Sequence, residues 1–149
     1  MIVLWKNNRL SFLEEEVKLE ENLQLETTIR GKEKYYSPNK FLNKVKKYGM
    51  NLGFRVLYGV AILYCALKSP DMPKEHKLMI LGVLGYFILP IDLIADILPT
   101  VGLADDIVII TKAISVIYSS ITDEMKEEAH ELLKNIFGEK YEPSIEYEI

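Results

Sequence analysis

The sequence has little of several features that would point directly to a function. Its single cysteine, Cys65, excludes an intrachain disulfide, so nothing in the sequence indicates an oxidising compartment. The 18 Lys and Arg are outnumbered by 22 Asp and Glu, and a net charge of −4 argues against nucleic acid as the main partner. No apolar run reaches the roughly 18–20 uncharged residues that identify a transmembrane helix with certainty.

Motifs of the common enzyme classes are missing from the sequence as well. His76 and His130 are far apart and stand in neither an HExxH motif nor a zinc-ligand spacing, and there is no Walker loop and no dinucleotide fingerprint. The sequence therefore predicts no catalytic and no cofactor-binding residue, and we expect a protein without enzymatic activity.

What is present is a chain of 149 residues, 49% hydrophobic and 27% charged, which is typical of one folded domain. Its charge is sorted along the chain: residues 1–33 carry net −2, 34–77 net +7, 78–122 net −3 and 123–149 net −6. A basic block beside an apolar one fits a protein on an anionic membrane. Oppositely charged helices facing each other in one soluble bundle would give the same pattern.

Helical signals predict an all-α fold, a small helical bundle. Ser37 as N-cap and Pro38 as first helical residue start a helix that we expect to run over residues 38–68, with a bend at Gly49 or Gly53. Residues 78–89 and 107–121 are two further apolar helices, which are candidates for short membrane spans, for hairpins at the membrane interface or for the buried helices of a soluble protein. We expect them to form an antiparallel hairpin, closed by a Pro/Asp-rich loop, with the other helices packed around it.

The two ends of the chain are predicted separately from the helical domain at 37–138. Residues 1–36 form a poorly defined segment, in which Ser11 and Glu14 fit a capping box and predict a helix from Ser11, although a strand is not excluded. Thr122 caps a final amphipathic helix over residues 122–137, which Gly138 ends. The acidic tail at 139–149 is expected to be loose.

The segment between the two hairpin helices carries a specific motif. Residues 85–106 read GYFILPIDLIADILPTVGLADD, and the sequence resembles the YkvA-like family, domain of unknown function 1232, over roughly residues 70–122. The matching positions are Tyr86, Pro90, Ile91, Asp92, Leu93, Ile94, Asp96, Pro99, Gly102, Asp105 and Asp106. The sequence departs from the family pattern at Ala95, where proline is usual, and at Leu89, where a small polar residue is frequent. The resemblance implies a small helical protein, often membrane-associated, whose molecular activity is not established.

Four aspartates of this motif are candidate metal ligands: Asp92, Asp96, Asp105 and Asp106. Hard cations such as Mg²⁺ or Ca²⁺ prefer clustered carboxylate oxygens, so a metal-dependent enzyme or metal-regulated module is one hypothesis. The alternative is structural, because Asp92 can cap a short helix and Asp105 can cap a helix that begins near residue 107.

Three lysines, Lys40, Lys44 and Lys47, share one face of the helix that begins at Pro38. They are predicted to contact anionic lipid headgroups, which makes membrane lipid the expected partner and the membrane, integral or peripheral, the expected location. The alternatives are a surface helix of a cytoplasmic bundle and a helical module that associates with a protein partner or with itself.

Overall fold

The computed structural model describes residues 2–89 and 101–142, and all its regular elements in these ranges are helices. They are α1 (Ile2–Ile29), α2 (Pro38–Leu52), α3 (Phe54–Lys68), α4 (Lys74–Ile88), α5 (Val101–Ile117) and α6 (Asp123–Phe137). Short 3₁₀ turns lie at Lys32–Tyr35, Tyr118–Ser120 and Gly138–Lys140. The predicted all-α class is confirmed.

The predicted helix caps form as the sequence indicates. The Ser37 side chain accepts a hydrogen bond from the Lys40 amide at 3.1 Å, and Thr122 Oγ1 accepts one from the Met125 amide at 3.2 Å. Both caps satisfy an amide that has no partner inside its own helix.

The expectation of one helix over 38–68 is wrong, because Gly53 separates α2 from α3. Its φ of 85° and ψ of 152° lie in a region that only glycine adopts without strain, and its amide still bonds the carbonyl of Gly49 at 3.1 Å. The glycine therefore ends one helix and begins the next, rather than bending a continuous one.

The N-terminal segment is also more regular than predicted. Helix α1 begins at Ile2, so Ser11 lies inside the helix and does not cap it. The helix alternative is confirmed and the strand alternative is excluded. The last turns of α1 enter the core through Leu25 and Ile29, and Gly31, at φ 77°, turns the chain into the 3₁₀ turn Lys32–Tyr35.

The centre of the core is α3 rather than the predicted hairpin. Ten of its 15 residues are buried, and it contacts α2, α4, α5 and α6. A helix that is apolar on all sides can be stable in a bundle only if neighbours cover every side, which is the position that α3 occupies.

The two helices of the predicted hairpin, α4 and α5, do contact each other. The loop that would close it lies at residues 90–100, outside the described residues, so the closed antiparallel hairpin stays a prediction.

The apolar helices were also candidates for membrane spans. Across residues 2–89 and 101–142, no helix is both long enough and apolar enough to cross a bilayer. The expected transmembrane helix therefore has no support in this part of the chain.

Candidate functional site

The aspartate motif is described only in part. Asp92 and Asp96 lie outside the described residues, as do all motif positions from Pro90 to Pro99, while Asp105 and Asp106 belong to the helical backbone of α5. Because α5 is helical from Val101 onward, Asp105 does not cap a helix that begins near residue 107, and that expectation is wrong. Within the described ranges, no three His, Cys, Asp or Glu side chains group as metal ligands. The Mg²⁺ or Ca²⁺ site stays a prediction.

The N-terminal edge of the motif is held by a close backbone contact. A Cβ atom on Gly85 of α4 would lie 1.9 Å from the carbonyl oxygen of Lys32, so only glycine lets the 3₁₀ turn Lys32–Tyr35 reach the helix. One turn earlier, Gly82 faces the side chain of Ile29. The segment that approaches both glycines is the end of α1 with the turn that follows it.

Lys44 is not a free surface lysine, although the sequence placed it on a lipid-facing surface. Its ammonium group donates hydrogen bonds to the carbonyl oxygens of Phe87 and Leu89, the latter at 3.3 Å, and lies 4.8 Å from the centre of the Phe87 ring. The last carbonyls of α4 have no partner within the helix and carry its negative dipole end, so a cation there stabilises the helix terminus. Lys44 therefore fixes the end of α4 immediately before Pro90.

A series of aromatic ring contacts continues from this lysine into the core. The Phe87 ring lies 6.0 Å from the Phe41 ring, and Phe41 stacks on Tyr64 at 4.8 Å. The ammonium of Lys68 lies 4.5 Å from the centre of the Tyr64 ring. Five side chains thus form one connected set: Lys44, Phe87, Phe41, Tyr64 and Lys68. It joins α2, α3 and α4 at the end of the bundle where the motif begins.

The exposed basic face of α2 differs by one residue from the predicted one. Lys40, Lys46 and Lys47 are exposed, whereas Phe41 and Val45 are buried. Lys46 was missed because the lysines were grouped by their spacing from Lys40. The spacing of the buried residues would have found it, since a position one residue beyond Val45 points away from the core side. The basic face is hence the outer surface of a helix whose apolar side is already covered.

A cleft of about 440 Å³ lies where α1 and the turn after it meet α4 and α5. Its apolar lining includes Leu25, Ile29, Met79 and Val116. Its charged and polar lining comprises Glu26, Arg30, Glu33, Glu75 and His76. The Nδ1 atom of His76 is buried and has no hydrogen-bond partner in the described part of the chain. No contiguous sequence motif predicts this cleft, because its residues come from three separate segments of the sequence.

His130 of α6 and Tyr141 pack against α3. His130 Nδ1 and the Tyr141 hydroxyl share a hydrogen bond of 2.5 Å, and the His130 ring stacks on Tyr58 at 4.4 Å. Tyr141 is only 1% exposed, so the expectation of a loose tail is wrong for residues 139–142. On the same helix as Tyr58, burial raises the pKa of the Cys65 thiol to about 11. This side is a packed interface, in which Cys65 is an inert core residue.

Comparison with known proteins adds one finding. Neither a curated protein nor a solved structure matches the chain. A family model described as "Protein of unknown function (DUF1232)" matches residues 76–111, a segment that runs from the first turn of α4 into α5. The match includes every position on which the YkvA-like resemblance rests. Residues 76–111, which include Gly85 and the two carbonyls that Lys44 binds, therefore match the DUF1232 family, in agreement with the resemblance seen in residues 85–106.

Proposed function

We propose that the protein is a non-catalytic helical module that docks peripherally on anionic membrane surfaces through α2. The observation that carries this proposal is the arrangement of α2 itself. Its apolar side is buried in the core, while Lys40, Lys46 and Lys47 remain exposed on the outer side.

This arrangement favours electrostatic adsorption over insertion. Phe41 and Val45 are buried in the core, so these apolar side chains of α2 are not available to enter the lipid. Lysines near an anionic bilayer each contribute roughly 1 kcal/mol, and this attraction falls off within a Debye length of the surface. Three lysines would thus supply about 3 kcal/mol, enough for reversible binding at low salt.

Charge elsewhere on the chain supports the choice of α2 as the docking face. Residues 34–77 hold nine of the 18 basic side chains and only two acidic ones, whereas residues 123–149 carry net −6. A molecule with such a charge asymmetry would orient itself with the basic block toward anionic lipid.

Sedimentation with phosphatidylserine-containing vesicles tests the proposal. Lys40→Gln, Lys46→Gln and Lys47→Gln combined should lower the vesicle partition coefficient by roughly a hundredfold, as expected for the loss of three such lysines. The matched control is Lys126→Gln, Lys134→Gln and Lys140→Gln, which changes the net charge equally but lies on α6 and the turn after it. Equal losses for both triples would mean that net charge alone matters, and unchanged binding of the α2 triple would refute the docking face.

Fractionation of the expressed protein provides a second test. Peripheral docking predicts recovery with membranes at low salt and release by an alkaline carbonate wash. Retention in the washed pellet would contradict it, as would full recovery in the soluble fraction at low salt.

A further inference from the structure

Helix α1 leaves an apolar stripe uncovered. Leu10, Leu13 and Val17 follow one another at three- and four-residue spacing, so they share one side of the helix. Their side chains are 58%, 46% and 55% exposed, although each is as apolar as the core residues of α3. Among the side chains of α1 whose burial the structure describes, Leu25 and Ile29 in its last turns are the buried ones.

The charges at the two ends of α1 would complement each other in an antiparallel pair of helices but not in a parallel pair. Its first nine residues include Lys6 and Arg9 and no acid, whereas Glu20, Glu21 and Glu26 follow in its second half. Two copies in antiparallel orientation place the basic end of each helix beside the acidic end of the other. A parallel pair would instead place the two basic ends together and the two acidic ends together.

The cleft at the base of α1 fits the same arrangement. In an antiparallel pair along the stripe, position 10 of one copy lies opposite position 17 of the other, so residues 2–5 of one copy come opposite residues 22–25 of the other. Leu25, the last of these, lines the cleft together with other apolar side chains, and three glutamates outnumber one arginine in its charged lining. Residues 2–5 are apolar and are followed directly by Lys6, which matches this lining.

From these three observations we propose that α1 is a homodimerisation helix. Two copies pair antiparallel along the stripe of Leu10, Leu13 and Val17, and the N-terminal turn of each occupies the cleft of the other. The pairing is independent of the membrane docking proposed for α2, because it uses no residue of that helix.

The first test is the oligomeric state of the full chain, measured by sedimentation equilibrium from micromolar to millimolar concentration without lipid. A reversible dimer is expected. Leu10→Glu combined with Leu13→Glu should raise the dimer dissociation constant by roughly a hundredfold or more, because it charges the centre of the stripe in both copies. The matched control is Leu19→Glu, at a position of the same helix that is 60% exposed but lies on the opposite side from Leu10, and it should leave the dissociation constant unchanged.

Charge reversal tests the orientation. Lys6→Glu with Arg9→Glu should weaken the dimer by roughly tenfold or more, as should Glu20→Lys with Glu21→Lys, since each creates like charges at both ends. A chain that carries all four changes restores opposite charges in an antiparallel pair and should regain the original affinity. Far-UV circular dichroism of each variant checks that α1 remains helical.

Three results would overturn the proposal. One is a monomer at every concentration, including a monomer whose α1 stripe instead supports vesicle binding. Another is a dimer that the stripe substitutions leave intact. The third is a dimer that Leu10→Glu with Leu13→Glu dissociates but charge reversal leaves unchanged, which is the behaviour of a parallel pair.

Discussion

Helices α1 and α3 both carry large apolar side chains on several sides, yet these side chains are largely buried in α3 and several of them are exposed in α1. In α3 ten of 15 residues are buried, because four other helices surround it. In α1, which has 28 residues, Leu25 and Ile29 are buried while Leu10, Phe12 and Leu19 are more than half exposed. The contrast shows that the number of neighbouring elements determines the burial of an apolar residue in this fold, more than its own chemistry does.

The largest expected effect comes from truncating equal side chains in the two helices. Leu63→Ala in α3 removes a side chain with no exposed surface and should lower the free energy of unfolding by about 2–5 kcal/mol, because it leaves a cavity. Leu19→Ala in α1 should change it by less than about 0.5 kcal/mol. Urea denaturation of both variants measures the difference. Similar losses in the two variants would mean that α1 is covered in solution to the same degree as α3.

The attachment of α1 to the bundle is the next target. Gly85→Ala places a methyl group against the Lys32 backbone, which cannot rotate away, and should cost about 1–3 kcal/mol. Gly82→Ala meets only the side chain of Ile29, at 3.2 Å, and should cost less. Urea denaturation gives both values, and hydrogen exchange at Lys32–Tyr35 shows whether this turn separates from α4. If Gly85→Ala is as mild as Gly82→Ala, the close backbone contact is not required.

A similar contrast exists between two lysines of α2. Lys44→Met removes the charged donor from the carbonyls of Phe87 and Leu89 and should destabilise the protein by about 1–3 kcal/mol. Lys47→Met, at an exposed position, should change stability by less than about 0.5 kcal/mol. Thermal unfolding of the two variants decides this, and equal melting temperatures would show that the cap of α4 is energetically unimportant.

The smallest effect concerns the only thiol, which lies in α3. Burial raises the pKa of Cys65 to about 11, so the folded state holds this proton more tightly than the unfolded chain does. Its contribution to stability is complete below about pH 9 and is lost as the pH rises toward 11. Unfolding experiments across this interval should show a shallower decline for Cys65→Ala than for the unchanged protein.

Thiol reactivity extends this last comparison to α1. At neutral pH, Cys65 should resist alkylation in the folded protein, while a cysteine introduced by Ser11→Cys in exposed α1 should react at once. Rapid reaction of Cys65 would contradict its burial.

The parts of the fold that follow from local chemistry were predictable from the sequence. The caps at Ser37 and Thr122 depend on one side chain and one amide three residues away, and the motif of residues 85–106 is contiguous. The role of Lys44 was not predictable, because its partners are 43 and 45 residues away in the chain. The central position of α3 was missed for a related reason: apolar character indicates burial but not which helix the others surround.

The contact between Gly85 and Lys32 also has a consequence for synthesis on the ribosome. Helix α1 and the turn after it are synthesised before α4, and their binding surface on α4 is completed 53 residues later, with a further delay in the exit tunnel. At translation rates of about 5–20 residues per second, the nascent helix waits for several seconds with Leu25 and Ile29 still uncovered. During this interval the α1 helices of neighbouring nascent chains on one message can meet before either chain has folded.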